Sequence, residues 1–438
     1  MKNAVEEYRL FLTEYLLPLM GISSGSVTLE PVQSINRANS FNVFREDDYV
    51  FFLADRVPYF KAKLSISEDN LRLARRILTS FMAVSHYKLL EKGTDIQNSY
   101  LTDTLRNKAY DYAIQHGICA WITGTTQSDA IDRLLGILER WSIQTYEGRK
   151  VTFGFVINSK ETGTVDWLDF LEDDYSATLT DCIHSVIELD EQGKLIRYNS
   201  LSQEGVKYSN DHGIRPYRFS LVLDNFVTQD KVGVFLLING DIIISKNRQV
   251  RFVKRNLKWL NMSFDAFTNA IGSFPVNNTV VREVYASMLD VSFSHTGGII
   301  AIVNDLDQLR SANILSPSDD IKNTGDISEQ LGSSVTSHDL EKRLLKRRSI
   351  HALINHNSFC ELDRKLRAEL IAMDGACIIS PEGEMFAVGA IIQNESGSSG
   401  GGRGAACKRL SKYGVAIKIS TDGYIEMFKS EELIYSVK

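Results

Sequence analysis

Met373-Asp374-Gly375-Ala376-Cys377-Ile378-Ile379 decides how the last third of the chain is read. An acidic residue and two small ones stand where a helical pattern gives way to an apolar run of strand length. Upstream, Leu362, Leu366 and Leu370 recur four apart, as on one face of a helix. Downstream, Pro381-Glu382-Gly383 makes a tight turn into a second strand-like run, Glu384–Ile392. The order is therefore helix, Asp-Gly-Ala, strand, turn, strand. Small residues at such a junction let a flat ligand or a phosphate approach the backbone closely. The Asp374 carboxylate, at the strand's beginning, is placed to hold a metal ion or take a proton from a hydroxyl.

A second segment follows: Ser396-Gly397-Ser398-Ser399-Gly400-Gly401-Gly402-Arg403-Gly404-Ala405-Ala406-Cys407-Lys408-Arg409-Leu410. It reads as a glycine-rich loop running into a helix. Successive backbone N–H groups and a helix N-terminus together make an anion pocket, and Arg403, Lys408 and Arg409 add positive charge. Phosphoryl chemistry needs this combination, because it stabilises spread negative charge. No Gly-Lys-Ser/Thr follows the glycines, so the loop is not a Walker A motif. Strand runs at Gly297–Val303, Val415–Ser420 and Tyr424–Phe428 complete the pattern, the last two joined by Thr421-Asp422-Gly423.

This order resembles the diadenylate cyclase domain over about the last third of the chain. In that family an Asp-Gly-Ala motif and a Gly-Thr-Arg-His-Arg-Ala-Ala motif bind ATP, and a Ser-Glu-Glu-type segment lines the site. Two domains meet face to face and join two ATP molecules into cyclic di-AMP with metal help. The resemblance implies Asp374 as metal ligand or hydroxyl-activating group and Arg403 as the charge on the phosphates. It implies nucleotide contacts from Gly375, Ala376, Gly400, Gly401, Gly402, Gly404, Ser420 and Asp422. It further implies Mg²⁺ or Mn²⁺, a nucleoside triphosphate substrate, and a homodimer at least transiently. Asp374, Gly375 and Ala376 match the first motif fully, whereas Gly402-Arg403-Gly404 stands where the family has Arg-His-Arg. Losing one preorganised charge-stabilising donor commonly costs about 10²–10³ in rate. Either other side chains replace the missing pair, or the product differs, or the domain only binds nucleotide.

The preceding chain divides by pattern. Residues 1–148 read as mostly helical, with Leu71–Leu78 and Asp129–Leu135 periodic and Tyr49–Leu53 a strand; Val5, Tyr8, Leu12, Tyr15 and Leu19 mark one face of a first helix. Residues 149–276 read as an antiparallel β-rich domain with strands at Val151–Ile157, Ile183–Leu189, Tyr217–Leu223, Val232–Ile238, Asp241–Ser245 and Gln249–Lys254. Asn239-Gly240 signals a type I′ hairpin, and Lys246-Asn247-Arg248 a second one. Cyclase domains of this kind are often fused to sensor modules ending in a basic, aromatic hairpin, which Asp241–Trp259 resembles. That implies a regulatory input and an effector downstream. Residues 277–438 form the cyclase-like domain, with helices at Val280–Leu289 and over Leu340, Leu344, Leu345 and Ile350. Within it the polar stretch Ser316–Asp339 reads as a mobile loop. The fold class expected is α/β (α+β): a helical segment, an antiparallel domain, then a mixed-sheet domain.

Several patterns take plainer readings. The basic residues Lys342, Arg343, Lys346, Arg347 and Arg348 read as a solvated helix face, and Lys246, Arg248, Arg251, Lys254, Arg255 and Lys258 as an exposed hairpin face. The acidic run Asp166–Asp174 lacks the EF-hand glycine and terminal Glu, so it reads as surface. Thr123–Ser128 reads as a loop with Ser128 capping a helix. Five cysteines form no Cys-x-x-Cys pair and are odd in number, which argues against a zinc site or a disulfide framework and for buried thiols in a reducing cytosol. A net charge of −6 gives no electrostatic case for a nucleic-acid or membrane partner. Glu6 and Glu7 stand where a signal peptide needs positive charge, and no apolar run approaches the roughly 20 residues of a membrane span. A cytoplasmic location follows as an expectation.

Overall fold

A computed structural model describes residues 2–22, 27–32, 42–53, 59–86, 99–124, 129–201, 215–228, 230–331, 335–392 and 401–437. Contacts gather these into two units, residues 1–212 with 219–263 and residues 213–218 with 264–438. Both mix helices with sheets.

In the first unit the N-terminal helical face forms as expected: Tyr8, Leu12 and Leu19 are buried, with Val5 and Tyr15 packed against the same core. That core continues through the helices Glu68–His86 and Asp129–Ile143 to strand residues Phe153, Val234, Phe252 and Trp259. A four-stranded antiparallel sheet surrounds Tyr49–Phe52; its other strands are Glu30–Val32, Val43–Glu46 and Tyr59–Lys63. The larger sheet has eight strands, ordered Lys258–Asn261, Gln249–Arg255, Ile242–Lys246, Lys231–Leu236, Phe153–Asn158, Ser185–Leu189, Lys194–Ser200 and Val165–Asp166.

Three local expectations are corrected. The sheet is not wholly antiparallel, because Phe153–Asn158 and Ser185–Leu189 run parallel. Tyr217–Leu223 is not a strand: a short turn of helix and the helix Ser220–Phe226 occupy it. Phe219, Val222 and Leu223 are buried at helical spacing, a period the short apolar run equally allowed. Asn239-Gly240 does join two strands, but only Gly240 has positive φ (90°), and its N–H donates to the Leu237 carbonyl. The loop is thus a type I turn closed by a left-handed glycine. The paired positive φ of a type I′ turn falls instead on Glu147-Gly148 (48° and 77°), Asn247-Arg248 (52° and 63°), Asn256-Leu257 (48° and 65°) and Ser430-Glu431 (50° and 68°).

The second unit holds helices α1 (Phe264–Ile271), α2 (Asn278–Ser294), α3 (Leu306–Ser311), α4 (Ile327–Leu331), α5 (Ser337–Ile354), α6 (Arg364–Ala372) and α7 (Gly401–Leu410). Its strands are β1 (Gly298–Val303), β2 (Ala376–Ile379), β3 (Met385–Ala390), β4 (Gly414–Ile419), β5 (Ile425–Lys429) and β6 (Glu432–Val437). They form one mixed sheet in the order β3-β2-β1-β4-β5-β6, in which only β1 and β2 are parallel. Ile299, Ala301 and Val303 of β1 enter one apolar core with Ala406, Cys407 and Leu410 of α7. Residues alternate across a strand, so Gly298, Ile300 and Ile302 face the other side, where a Cβ on Gly298 would lie 2.3 Å from the carbonyl oxygen of Ile371 in α6. The sheet is therefore covered on both faces, and its central strands are buried throughout.

Two further expectations fail here. Leu345, counted with the apolar face of α5, is 65% exposed. Within the polar stretch, residues 316–323 are firmly tied down. Asp320 is buried and accepts from Arg310 Nε at 2.7 Å, and the Ile321 N–H donates to the Phe386 carbonyl in β3.

Candidate functional site

Pairing in the second sheet brings the sequence motifs to one edge. Because β1 and β2 are parallel with Ile300 opposite Cys377, their first residues lie side by side. Gly297 therefore sits beside the Asp374-Gly375-Ala376 junction. Strand β4 runs antiparallel to β1 with Ile419 opposite Gly298, so Ser420-Thr421-Asp422 emerges at the same edge. Strand β3 ends there too, since Ala390 pairs with Ala376.

The small residues are required by close approaches. Gly375 has φ 102°, and a Cβ there would lie 2.4 Å from the carbonyl carbon of Gly389. Gly297 has φ 70°, and its Cβ would lie 2.4 Å from Arg403 Nη1 and 3.1 Å from the Thr421 nitrogen. Gly297 thus leaves room for the Arg403 guanidinium between α7 and the β4–β5 turn. Arg403 is half-buried, whereas Asp374 and Asp422 are exposed.

Two of the residues named from sequence have structural duties. Ser420 Oγ accepts the Tyr424 N–H at 3.1 Å, and the Ser420 carbonyl accepts the Gly423 N–H at 2.9 Å, closing the turn that displays Asp422. Buried Ser292 of α2 holds that turn from beneath by donating to the Gly423 carbonyl at 2.5 Å. Ala376 is wholly buried at the start of β2.

The glycine-rich segment differs from expectation. Gly401, Gly402 and Gly404 belong to the first turn of α7 rather than to a loop. Among the described residues, a Cβ at Gly402 or Gly404 would meet nothing within 4 Å, so their packing does not require glycine there. Glycine costs a helix interior roughly 1 kcal/mol against alanine. What the first turn does supply is N–H groups without partners inside the helix. Gly400, Ser396–Ser399 and, in the first unit, Thr125–Ser128 lie outside the described residues.

Sequence reasoning placed Lys346 on a solvated face, yet its ammonium reaches the strand that packs against the Asp-Gly-Ala junction. Lys346 Nζ on α5 donates to the Gly389 carbonyl at 2.5 Å and to Asp319 at 2.8 Å, and Asp319 also accepts the Ile391 N–H at 3.3 Å. The solvated-face expectation for α5 is thereby corrected for three of its five basic residues. Arg343 reaches Ser316 and Ser318, and Arg347 reaches the carbonyls of Pro317, Asp320 and Asn323; Lys342 and Arg348 remain exposed. The signal was the recurrence of Arg343, Lys346 and Arg347 at helical spacing, opposite a polar stretch rich in acceptors.

Chemically, the edge offers one exposed carboxylate at a strand start, one guanidinium, and a glycine-lined helix terminus. Among the described residues no three His, Cys, Asp or Glu side chains gather as a metal cage. One or two carboxylates completed by substrate phosphates is the usual ligand set for Mg²⁺, and Asp374 fits that role. The thiols offer no chemistry here, since burial pushes those of Cys377 and Cys407 up to about 12. No family model matches the chain, and no curated protein matches it.

Proposed function

We propose that the second unit binds a nucleoside triphosphate at this sheet edge and transfers its nucleotidyl group to make a dinucleotide second messenger, cyclic or linear. The observation that carries this reading is the meeting of Asp374-Gly375-Ala376, Gly297, Arg403 and Asp422 at one end of parallel β1 and β2. Arg403 and the N–H groups of the first α7 turn bind the phosphates. A ribose 3′-hydroxyl oxygen attacks the α-phosphorus, a new P–O bond forms, the α–β anhydride breaks, and pyrophosphate leaves. Asp374 accepts the hydroxyl proton or holds Mg²⁺ or Mn²⁺, which would neutralise phosphate charge. Joining two nucleotides takes two such sites, so the chain works as a dimer, at least transiently. The first unit is its sensory input, the product acts on an effector, and the enzyme is cytoplasmic; among the described residues no helix is long and apolar enough to cross a membrane.

The bare first turn of α7, with glycine at both Gly402 and Gly404, favours one rival: a unit that binds nucleotide without turnover. Incubation with each NTP and dNTP plus Mg²⁺ or Mn²⁺, with products read by mass spectrometry, separates the two. A dinucleotide should appear, fall about 10²–10⁴-fold in Asp374→Asn and about 10²–10³-fold in Arg403→Gln. Binding without product would sink the enzyme in favour of the rival.

A further inference from the structure

The first unit contains a cleft of about 570 Å³, built mainly from the helices Glu68–His86 and Ser99–Thr123 and the strand end at Lys246. Its volume is within the range of small-ligand sites. Four cationic side chains line it, Arg72, Arg75, Arg76 and Lys246, against two carboxylates, Asp69 and Glu191.

Cations outnumber carboxylates in this lining, and one of the two carboxylates is already engaged. Asp69 is committed elsewhere: one oxygen accepts from Trp121 Nε1 at 3.2 Å, and the other pairs with Arg251 at 2.6 Å. Arg72 reaches Asp69 only at 3.5 Å, and its side chain is 65% exposed. Arg76 is oriented by one bond of 2.8 Å from Nη2 to the Gly124 carbonyl. A guanidinium has five N–H donors, so that single bond fixes the group and leaves donors for a ligand. Lys246 is the most telling of the four. Its Nζ stands 4.5 Å from the Trp121 ring centroid, and among the described residues no carboxylate is within ion-pair distance. Burial pulls its ammonium below the ordinary lysine value, with Asp69 pulling the other way. A partly desolvated ammonium that rests on a ring face, with no carboxylate in ion-pair contact among the described residues, is stabilised by an anion that enters.

We infer that this cleft is a binding site for a small phosphate-bearing molecule, gripped by Arg72, Arg76 and Lys246. Guanidinium forks match phosphate oxygens in pairs, and the volume exceeds what inorganic phosphate alone fills. The inference is independent of nucleotide chemistry in the second unit.

The sequence provides a local reporter. All four tryptophans, Trp121, Trp141, Trp167 and Trp259, belong to the first unit. A phosphate that draws Lys246 from the Trp121 ring changes that indole's fluorescence. The full chain is titrated with inorganic pyrophosphate, ATP, AMP and adenosine, with affinity also followed by calorimetry. Pyrophosphate should bind saturably, adenosine should not, and tighter binding of ATP or AMP would identify the ligand as a nucleotide. The Arg72→Gln/Lys246→Gln pair should weaken pyrophosphate at least about tenfold, and Lys246→Arg should restore part of it. Trp121→Phe should remove the optical signal while calorimetric binding persists. Arg403→Gln should leave the fluorescence titration unchanged, which keeps this result apart from any failure of the second unit. Unchanged affinity in the double variant, or no saturable response at millimolar pyrophosphate, overturns the inference.

Discussion

Two basic clusters look alike in sequence and differ in the folded chain. The hairpin residues of the first unit and the α5 residues of the second are each runs of lysine and arginine at surface-like spacing. In the hairpin, Lys254 is 4% exposed and donates to Asp111 at 3.1 Å, Gln115 at 2.7 Å and Glu139 at 2.8 Å. Arg255 is 1% exposed and paired with Asp241 at 2.6 Å, while Arg248 and Lys258 alone match the exposed-face expectation fully. On α5 the cations instead serve mainly backbone carbonyls and hydroxyls of residues 316–323. In the first cluster the buried Lys254 and Arg255 are tied to the carboxylates of Asp111, Glu139 and Asp241 and belong to the structural core. The other fastens a polar segment beside the candidate site. A charge run thus says how many cations there are, and the partner decides what they do.

The contrast can be broken by substitution. Lys254→Met leaves Asp111 and Glu139 without their cation, and should cost about 3 kcal/mol in a denaturant titration. A loss under about 1 kcal/mol would mean the network is solvated after all. Arg347→Ala should cost less, about 1–2 kcal/mol, and its effect should be local. Amide exchange of residues 316–323 should speed up while the first unit is unchanged, and Arg348→Ala should do neither. The smallest effect concerns pH. Burial raises the Asp111 carboxyl above its ordinary 3.8, against the pull of Lys254. A raised acid contributes its stability fully below 3.8 and loses it as pH rises through the folded value. The stability of the wild type relative to Asp111→Asn should therefore fall as pH rises from about 4, by less than the Lys254→Met loss. A rise instead would show the pair outweighing its desolvation.

The candidate site was legible to a similar, uneven degree. Asp374-Gly375-Ala376 could be found because a carboxylate and two small residues at a helix–strand junction are rare without a reason, and the close approach at Gly389 is that reason. Strand β6 was missed because Glu432–Val437 alternates only partly and follows a turn, Ser430-Glu431, that lacks the usual glycine. Lys346 and Asp319 were missed as a pair because 27 residues separate them, and no periodicity spans such a gap. The Arg403 position was visible, but its seat over Gly297 depends on pairing between β1 and β4, more than a hundred residues apart.

By itself the sequence determined the local elements: where apolar periodicity is 3.6 or 2, where glycine must take positive φ, and how many charges must find partners. Tertiary structure decided which strands become neighbours, and hence that Gly297, Asp374, Arg403 and Asp422 share one sheet edge. It also decided that Lys254 is buried while Lys246 lines a cleft. The physical reason is range. Backbone propensity and patterning act over a few residues, whereas burial, ion pairing and ligand sites are set by groups brought together from distant parts of the chain.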